Sequence, residues 1–408
     1  MSTLKKLRGK YLLVMIAMCG LVASTLGIMT NVAGIFFTPM AEELGKETAA
    51  VNLTLTICNI AYAIAGIFSA KWVKPKNFRV FIIGGTIVFA GSTALLSVCS
   101  SMAPLYMLNA VRGFASGLIG NVLVTSVIGR WFLTDTGFIS SIALGCSGLI
   151  GAAFNPILEA VIQSAGWRTA YLVAAGTIVV LNLPAMIAPI SFRPEDSGLE
   201  PVGKKAAGPA EMPAAEAKRA GTFAVGVMLI AICTASLASF VCATPQLFKP
   251  LAITYGLRET GIVMMSVVLV VNTAGKFLFG MMTDKIGVRR SFLIYGLTIA
   301  GGILLLLLVR SSVPMLVSAG MIGLCYSIPT VGAVMLCREL FSPEDYGRVF
   351  PKINLGTSAA NALGYPVLGA IYDRTGNYDG ALILVLGIIL LSVGSVFLVY
   401  RMKEKTTG

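Results

Sequence analysis

The sequence predicts an all-α membrane protein, with twelve transmembrane helices in two six-helix bundles related by a pseudo-twofold axis. Three observations predict it. The chain of 408 residues is 56% hydrophobic and only 12% charged, where a soluble domain carries about 25% charged residues. Apolar stretches long enough to cross a hydrocarbon core of about 30 Å recur along its whole length. Finally, the two halves echo one another.

The apolar segments fall at roughly 11–40, 49–70, 79–100, 104–130, 137–164, 168–191, 222–248, 257–282, 290–309, 313–337, 347–372 and 379–400. The first is too long for a cleavable signal peptide and shows no small-residue cleavage site. Abundant glycine suits helices that must approach closely in lipid. Between the sixth and seventh segments lies Phe192–Gly221, rich in Pro, Ala, Gly and charge. With no apolar face worth burying, it reads as a linker. The expected organisation is a bundle at 1–191, a cytoplasmic linker at 192–221 and a second bundle at 222–408.

The formal net charge of +13 raises a nucleic-acid partner, but its distribution argues against one. Lys5, Lys6, Arg8 and Lys10, then Lys71, Lys74, Lys76 and Arg79, then the bases after residue 191, all fall on one side of the membrane. That is the positive-inside bias, which places both termini in the cytoplasm and the protein in the cell membrane. The eight cysteines have no metal-ligand spacing and read as buried thiols, so no metal or other cofactor is expected. The chain has no histidine, which removes His-based metal sites, Ser/His/Asp hydrolysis and His proton relays together. No nucleophile–base set remains to suggest an enzyme.

The repeat pairs Gly66 in AGIFSAKW with Gly280 in FLFGMMTDK. It also pairs Phe132–Gly137 with Phe341–Gly347, and Gly166 with Gly376. The spacing is nearly constant and close to half the chain, as expected for a duplicated six-helix unit.

The run Gly280-Met-Met-Thr-Asp284-Lys285-Ile-Gly287-Val-Arg289-Arg290 resembles, without a gap, the Gly-x-x-x-Asp-Arg/Lys-x-Gly-x-Arg-Arg loop of the major facilitator superfamily of secondary transporters. It lies between the eighth and ninth segments, where that family has it. In the first half the copy is degenerate, with Ala70 in place of the acid and Val73 in place of the glycine. Arg112 with Gly113 and Gly117 loosely resembles the family's fourth-helix arginine motif. The resemblance implies transport by alternating access and a monomer. It also implies a gating role for Asp284, which can pair with a basic group or a helix N-terminus to hold the bundles together on the inside.

Lys276 lies eight residues before Asp284, about 12 Å deeper along a helix and so near the midplane. A charge there costs about 2.5–3.5 kcal/mol on insertion scales, so it should face a cavity or a partner. Of the 18 acidic residues, seventeen fall in predicted loops or at helix ends; the exception, Glu159, reads as interfacial. Arg112 is a second deep cation, about 12 Å in from the outer surface. Two deep cations without deep carboxylates predict a small anionic substrate, with a lysine kept neutral as the open alternative.

Asn272 shares the Lys276 face one turn earlier. The second segment carries a polar stripe of Asn52, Thr56 and Asn59 with Tyr62 at its edge. The eleventh carries Asn354, Ser358, Asn361 and Tyr365. These stripes, with Lys276 and Arg112, form the expected lining of the substrate cavity. Lys352 projects away from its stripe and lies within snorkelling reach of the cytoplasm.

Within the superfamily the chain most resembles the oxalate:formate antiporter and monocarboxylate transporter branches. Both place an arginine where Lys276 stands, and the antiporter branch has a base near the position of Lys352, which brings that residue into the candidate set. Lysine is a point charge and weakens bidentate carboxylate recognition. Monocarboxylate carriers place an Asp where Asn272 stands, so exchange or uniport is expected rather than proton symport by that route. A second reading is a proton-coupled exporter of drugs or other neutral or cationic compounds, with Lys276 or Glu159 carrying the proton. A third, a non-transporting membrane sensor, would need an appended soluble domain or a long tail.

Overall fold

The computed structural model describes residues 9–203 and 214–407. Lys5, Lys6, Arg8 and residues 204–213 of the expected linker lie outside them, as does the side chain of Tyr365. Among the described residues ten helical spans are long and apolar enough to cross a membrane. One of them, Thr136–Ile187, is two helices meeting at Gly166. Pro343–Thr375 is a further helix of sufficient length, but too polar to stand among the ten. Twelve spanning helices result, as the sequence predicts.

The chain divides into two compact units, Met1–Lys204 and Lys205–Gly408. In the first, α1 is Lys10–Phe37, α2 is Thr48–Trp72, α3 is Phe78–Leu95 and α4 is Met102–Trp131. Residues 136–165 form α5 and 167–187 form α6. In the second unit, α7 begins at Ala214 and runs through Phe240. It is followed by α8 (Arg258–Ile286), α9 (Val288–Leu308), α10 (Ser312–Leu340), α11 (Pro343–Thr375) and α12 (Asp379–Thr407).

Small residues bring the helices of each unit together. A Cβ on Gly113 would meet the carbonyl oxygen of Cys58 at 2.0 Å, and one on Gly117 that of Tyr62 at 2.3 Å. Backbone therefore packs on backbone between α2 and α4, the small-xxx-small arrangement of membrane helices. Hydroxyls add bonds between helices. Ser24 Oγ donates to Asn182 Oδ1 at 2.7 Å, joining α1 to α6, and Ser318 Oγ donates to Gly302 O at 2.6 Å, joining α10 to α9. The start of α11 is written locally, because Ser342 Oγ accepts the Asp345 N–H and Pro343 opens the helix with no amide to satisfy.

In each unit the first and fourth helices depart from α geometry. Ala23–Asn31 of α1 is wound as π-helix, and α4 breaks at Gly120. Beyond Phe240, α7 tightens to 3-10 geometry over Val241–Leu247, around Pro245. In α10 a 3-10 turn at Leu324–Tyr326 precedes a π segment at Ile328–Gly332, around Pro329. Each proline lacks the amide that would continue the α ladder.

The start of the expected linker buries more than its composition suggests. Phe192 and Val202 are both buried. Leu133 N donates to Val202 O at 2.8 Å and Val202 N to Trp131 O at 2.9 Å, a short parallel bridge. Trp131 Nε1 donates to Ser191 O and Tyr11 OH to Glu200 O. Residues 192–203 are thus strapped to the first unit by backbone pairing and two apolar side chains.

Candidate functional site

Lys276 is 3% exposed on α8, and Asn272, one turn earlier, is equally buried. Next to the lysine, Gly275 lets α10 close in: a Cβ there would meet Ser327 Oγ at 3.0 Å. The irregular stretches of α7 and α10 bring Cys242 and Cys325 near the ammonium. Three buried polar atoms in this neighbourhood, Asn272 Oδ1, Thr244 Oγ1 and Ser327 Oγ, have no hydrogen-bond partner among the described residues. One atom comes from each of α8, α7 and α10. Burying such an atom unsatisfied costs about 1–3 kcal/mol. The cluster thus combines a buried positive charge with three unsatisfied hydrogen-bonding atoms.

Thr244 and Ser327 are missing from the residues singled out by sequence. Both share a local signature: Cys242-Ala-Thr244-Pro245 and Cys325-Tyr-Ser327-Ile-Pro329 each put a hydroxyl two residues after a cysteine and one or two residues before a proline. The proline breaks the ladder, so the hydroxyl sits where the helix is irregular.

On α11, Asn361 Nδ2 donates to Ser239 O at 3.5 Å, while Ser239 Oγ donates to Thr357 O at 2.8 Å. Asn361 therefore lies along the seam with α7. Asn354 is buried, and its Nδ2 is without a partner among the described residues. Lys352 lies on the exposed side of α11, its Nζ 3.8 Å from Met228 Sδ.

In the first unit Arg112 is 5% exposed, with its guanidinium 5.9 Å from the Tyr171 ring, which stacks on Phe36 at 4.2 Å. Its Nε has no hydrogen-bond partner among the described residues. Tyr62 is also buried, but its hydroxyl accepts the Asn121 N–H at 2.8 Å. It caps the second piece of α4, whose first amides the break at Gly120 leaves without helical partners. Asn59, nearly one turn earlier on α2, is half-buried. Glu159 accepts a hydrogen bond from Gln163, one turn later on α5.

The charged loop between α8 and α9 is built on Gly287, the single residue between the two helices, at φ 84° and ψ 161°. Gly280 is buried, while Asp284, Lys285 and Arg290 are exposed. Asp284 acts electrostatically on Arg338 at the end of α10, and Arg338 lies over the Tyr346 ring of α11 at 5.6 Å. Arg289 lies over Phe397 of α12 at 4.7 Å. The loop thus knits five helices of the second unit along one edge.

The family profile described as Major Facilitator Superfamily matches residues 18–272 and 228–408. Among curated proteins no relative matches. Among solved structures, the chain is similar to FucP, a transporter of that superfamily seen in the outward conformation. The TM-score is 0.69 at 11% identity, covering 95% of this chain and 97% of that one. It is likewise similar to the proton:xylose symporter XylE bound to 6-bromo-6-deoxy-D-glucose, with a TM-score of 0.70 at 14% identity over 94% of this chain and 93% of that one. At these identities the likeness is one of fold.

Proposed function

Because the chain belongs to the major facilitator superfamily, a multi-pass membrane fold that performs secondary transport by alternating access, we propose that its cargo is a small organic anion, a mono- or dicarboxylate. In this reading it works as a monomer in the cytoplasmic membrane with both termini inside, by exchange or uniport.

The observation that carries the reading is the composition of the Lys276 cluster. A buried ammonium favours an anion over a neutral or cationic solute at the same depth. Asn272, Thr244 and Ser327 supply hydrogen bonds to its polar groups. A lysine grips as a point charge, which suits small carboxylates of differing shape better than one planar partner. Arg112, buried within the first unit, is a second cation with the same preference for an anion, and Asp284 with its loop serves the gate. Asn272 offers no carboxylate to carry a proton beside the cation, which favours exchange or uniport over proton symport.

A thermal-shift screen of small carboxylates on the purified protein and on Lys276→Ala tests this. A ligand at a hundred times its Kd adds about 2.7 kcal/mol of apparent stability. The wild type is expected to respond to at least one carboxylate and the variant to none. Equal stabilisation of both proteins overturns the assignment of Lys276.

A further inference from the structure

The first-half copy of the charged loop keeps its bases and loses its acid, with Ala70 in the place of Asp284. Transport as read above gives this loop no work. Lys71, Lys74, Lys76 and Arg79 are all exposed. No acidic residue occurs between Glu47 and Asp135, so α2, α3, α4 and the loops joining them offer these cations no carboxylate. Arg79 has its Nη2 against the carbonyls of Met186 and Ile187 at 3.3 Å, at the end of α6, and makes no ion pair among the described residues.

Immediately toward the membrane interior, α3 and α4 part over a groove of about 550 Å³. Val80, Gly84, Val88, Val111, Phe114 and Leu118 line it, with other residues that are equally apolar. It opens outward: Val80 is 70% exposed and a Cβ on Gly84 would meet nothing within 4 Å. At its α2 edge Phe114 meets Phe68, which packs on the exposed Trp72 at 4.5 Å. A tryptophan at the end of a span marks the headgroup level. The groove therefore lies at acyl-chain depth, directly beneath the basic loop.

We propose that α3, α4 and the Lys71–Arg79 loop form a binding site for an anionic phospholipid. One acyl chain lies in the Gly84 groove and the phosphate sits among Lys74, Lys76 and Arg79. The two parts select together. A zwitterionic lipid fills the groove but forgoes roughly fivefold in affinity for each nearby base. A free phosphate meets the bases but forgoes about fourfold for each methylene that it does not bury.

Native mass spectrometry and thermal unfolding of the full chain test the proposal, with phosphatidylglycerol, phosphatidylcholine and glycerol phosphate as probes. Phosphatidylglycerol is expected to be retained and to raise the melting temperature, phosphatidylcholine to do so weakly, and glycerol phosphate not at all. Lys74→Gln with Lys76→Gln should lower phosphatidylglycerol retention about thirtyfold without changing the melting temperature in phosphatidylcholine. Gly84→Leu places its side chain in open space, so the protein folds and retention is lost. Equal retention of the two lipids overturns the proposal, as does unchanged retention in either variant. Stabilisation by glycerol phosphate as strong as that by the lipid shows a phosphate site instead and also overturns it.

Discussion

Gly166 and Gly287 hold almost the same backbone conformation, φ 82° with ψ 161° and φ 84° with ψ 161°. Each is the single residue between two helices. Each is followed by a buried apolar side chain, Trp167 or Val288, and then by an arginine over an aromatic ring. The repeat read from sequence pairs Gly166 with Gly376 instead, yet Gly376 sits at φ 69° and ψ 6°, an ordinary left-handed helix cap. One turn thus serves α5–α6 in the first unit and α8–α9 in the second.

The conformation shared by Gly166 and Gly287 is essentially closed to residues with a Cβ. Gly166→Ala and Gly287→Ala should each lose about 1–3 kcal/mol in detergent unfolding. Gly376→Asn should be mild, because asparagine tolerates the left-handed cap. Equal effects at all three positions would show that the turns relax.

Lys276→Met removes the buried charge at similar length. Without ligand this variant is expected to be as stable as the wild type, or more stable by up to about 3 kcal/mol, while losing its response to carboxylates. Thermal unfolding with and without the best carboxylate reads both effects. A strong loss of stability without ligand would make the lysine a structural residue.

Thr244→Val and Ser327→Ala remove hydroxyls that have no partner among the described residues. Neither should destabilise the protein by itself, and each should weaken carboxylate binding by up to about tenfold, the worth of one hydrogen bond. Titration of the thermal shift gives the affinity. Weaker stability with unchanged affinity would show that these hydroxyls serve the fold.

Tyr62→Phe leaves the Asn121 amide without its acceptor inside the first unit. A loss of about 1–3 kcal/mol in stability is expected, with carboxylate affinity nearly unchanged. The reverse outcome, full stability with weaker binding, would return Tyr62 to the lining of the cavity.

Much of this was legible in the sequence because lipid simplifies the code. Length, hydropathy and the Phe192–Gly221 break locate all twelve helices, and a lysine at membrane depth announces itself. Other features depend on three-dimensional accidents. The cap that Tyr62 supplies exists only because α4 breaks at Gly120. Val202 is held by a single bridge to Phe132 and Phe192 by its packing on Phe78, and neither contact has a periodic signature. Thr244 and Ser327 look like any hydroxyl in an apolar run, and most such hydroxyls are spent on their own helix, as Thr25 is on Leu21 O at 2.7 Å.

The departures from α geometry in α1, α4, α7 and α10 mean that the backbone ladder changes register or breaks at membrane depth. A helix flexes at such a place before it flexes elsewhere. Deuterium should enter the amides around Gly120 and in Val241–Leu247 sooner than those of the unbroken α9 and α12, wherever water reaches them. Each unit owns two such joints, so part of the opening and closing of this carrier can be bending inside a unit.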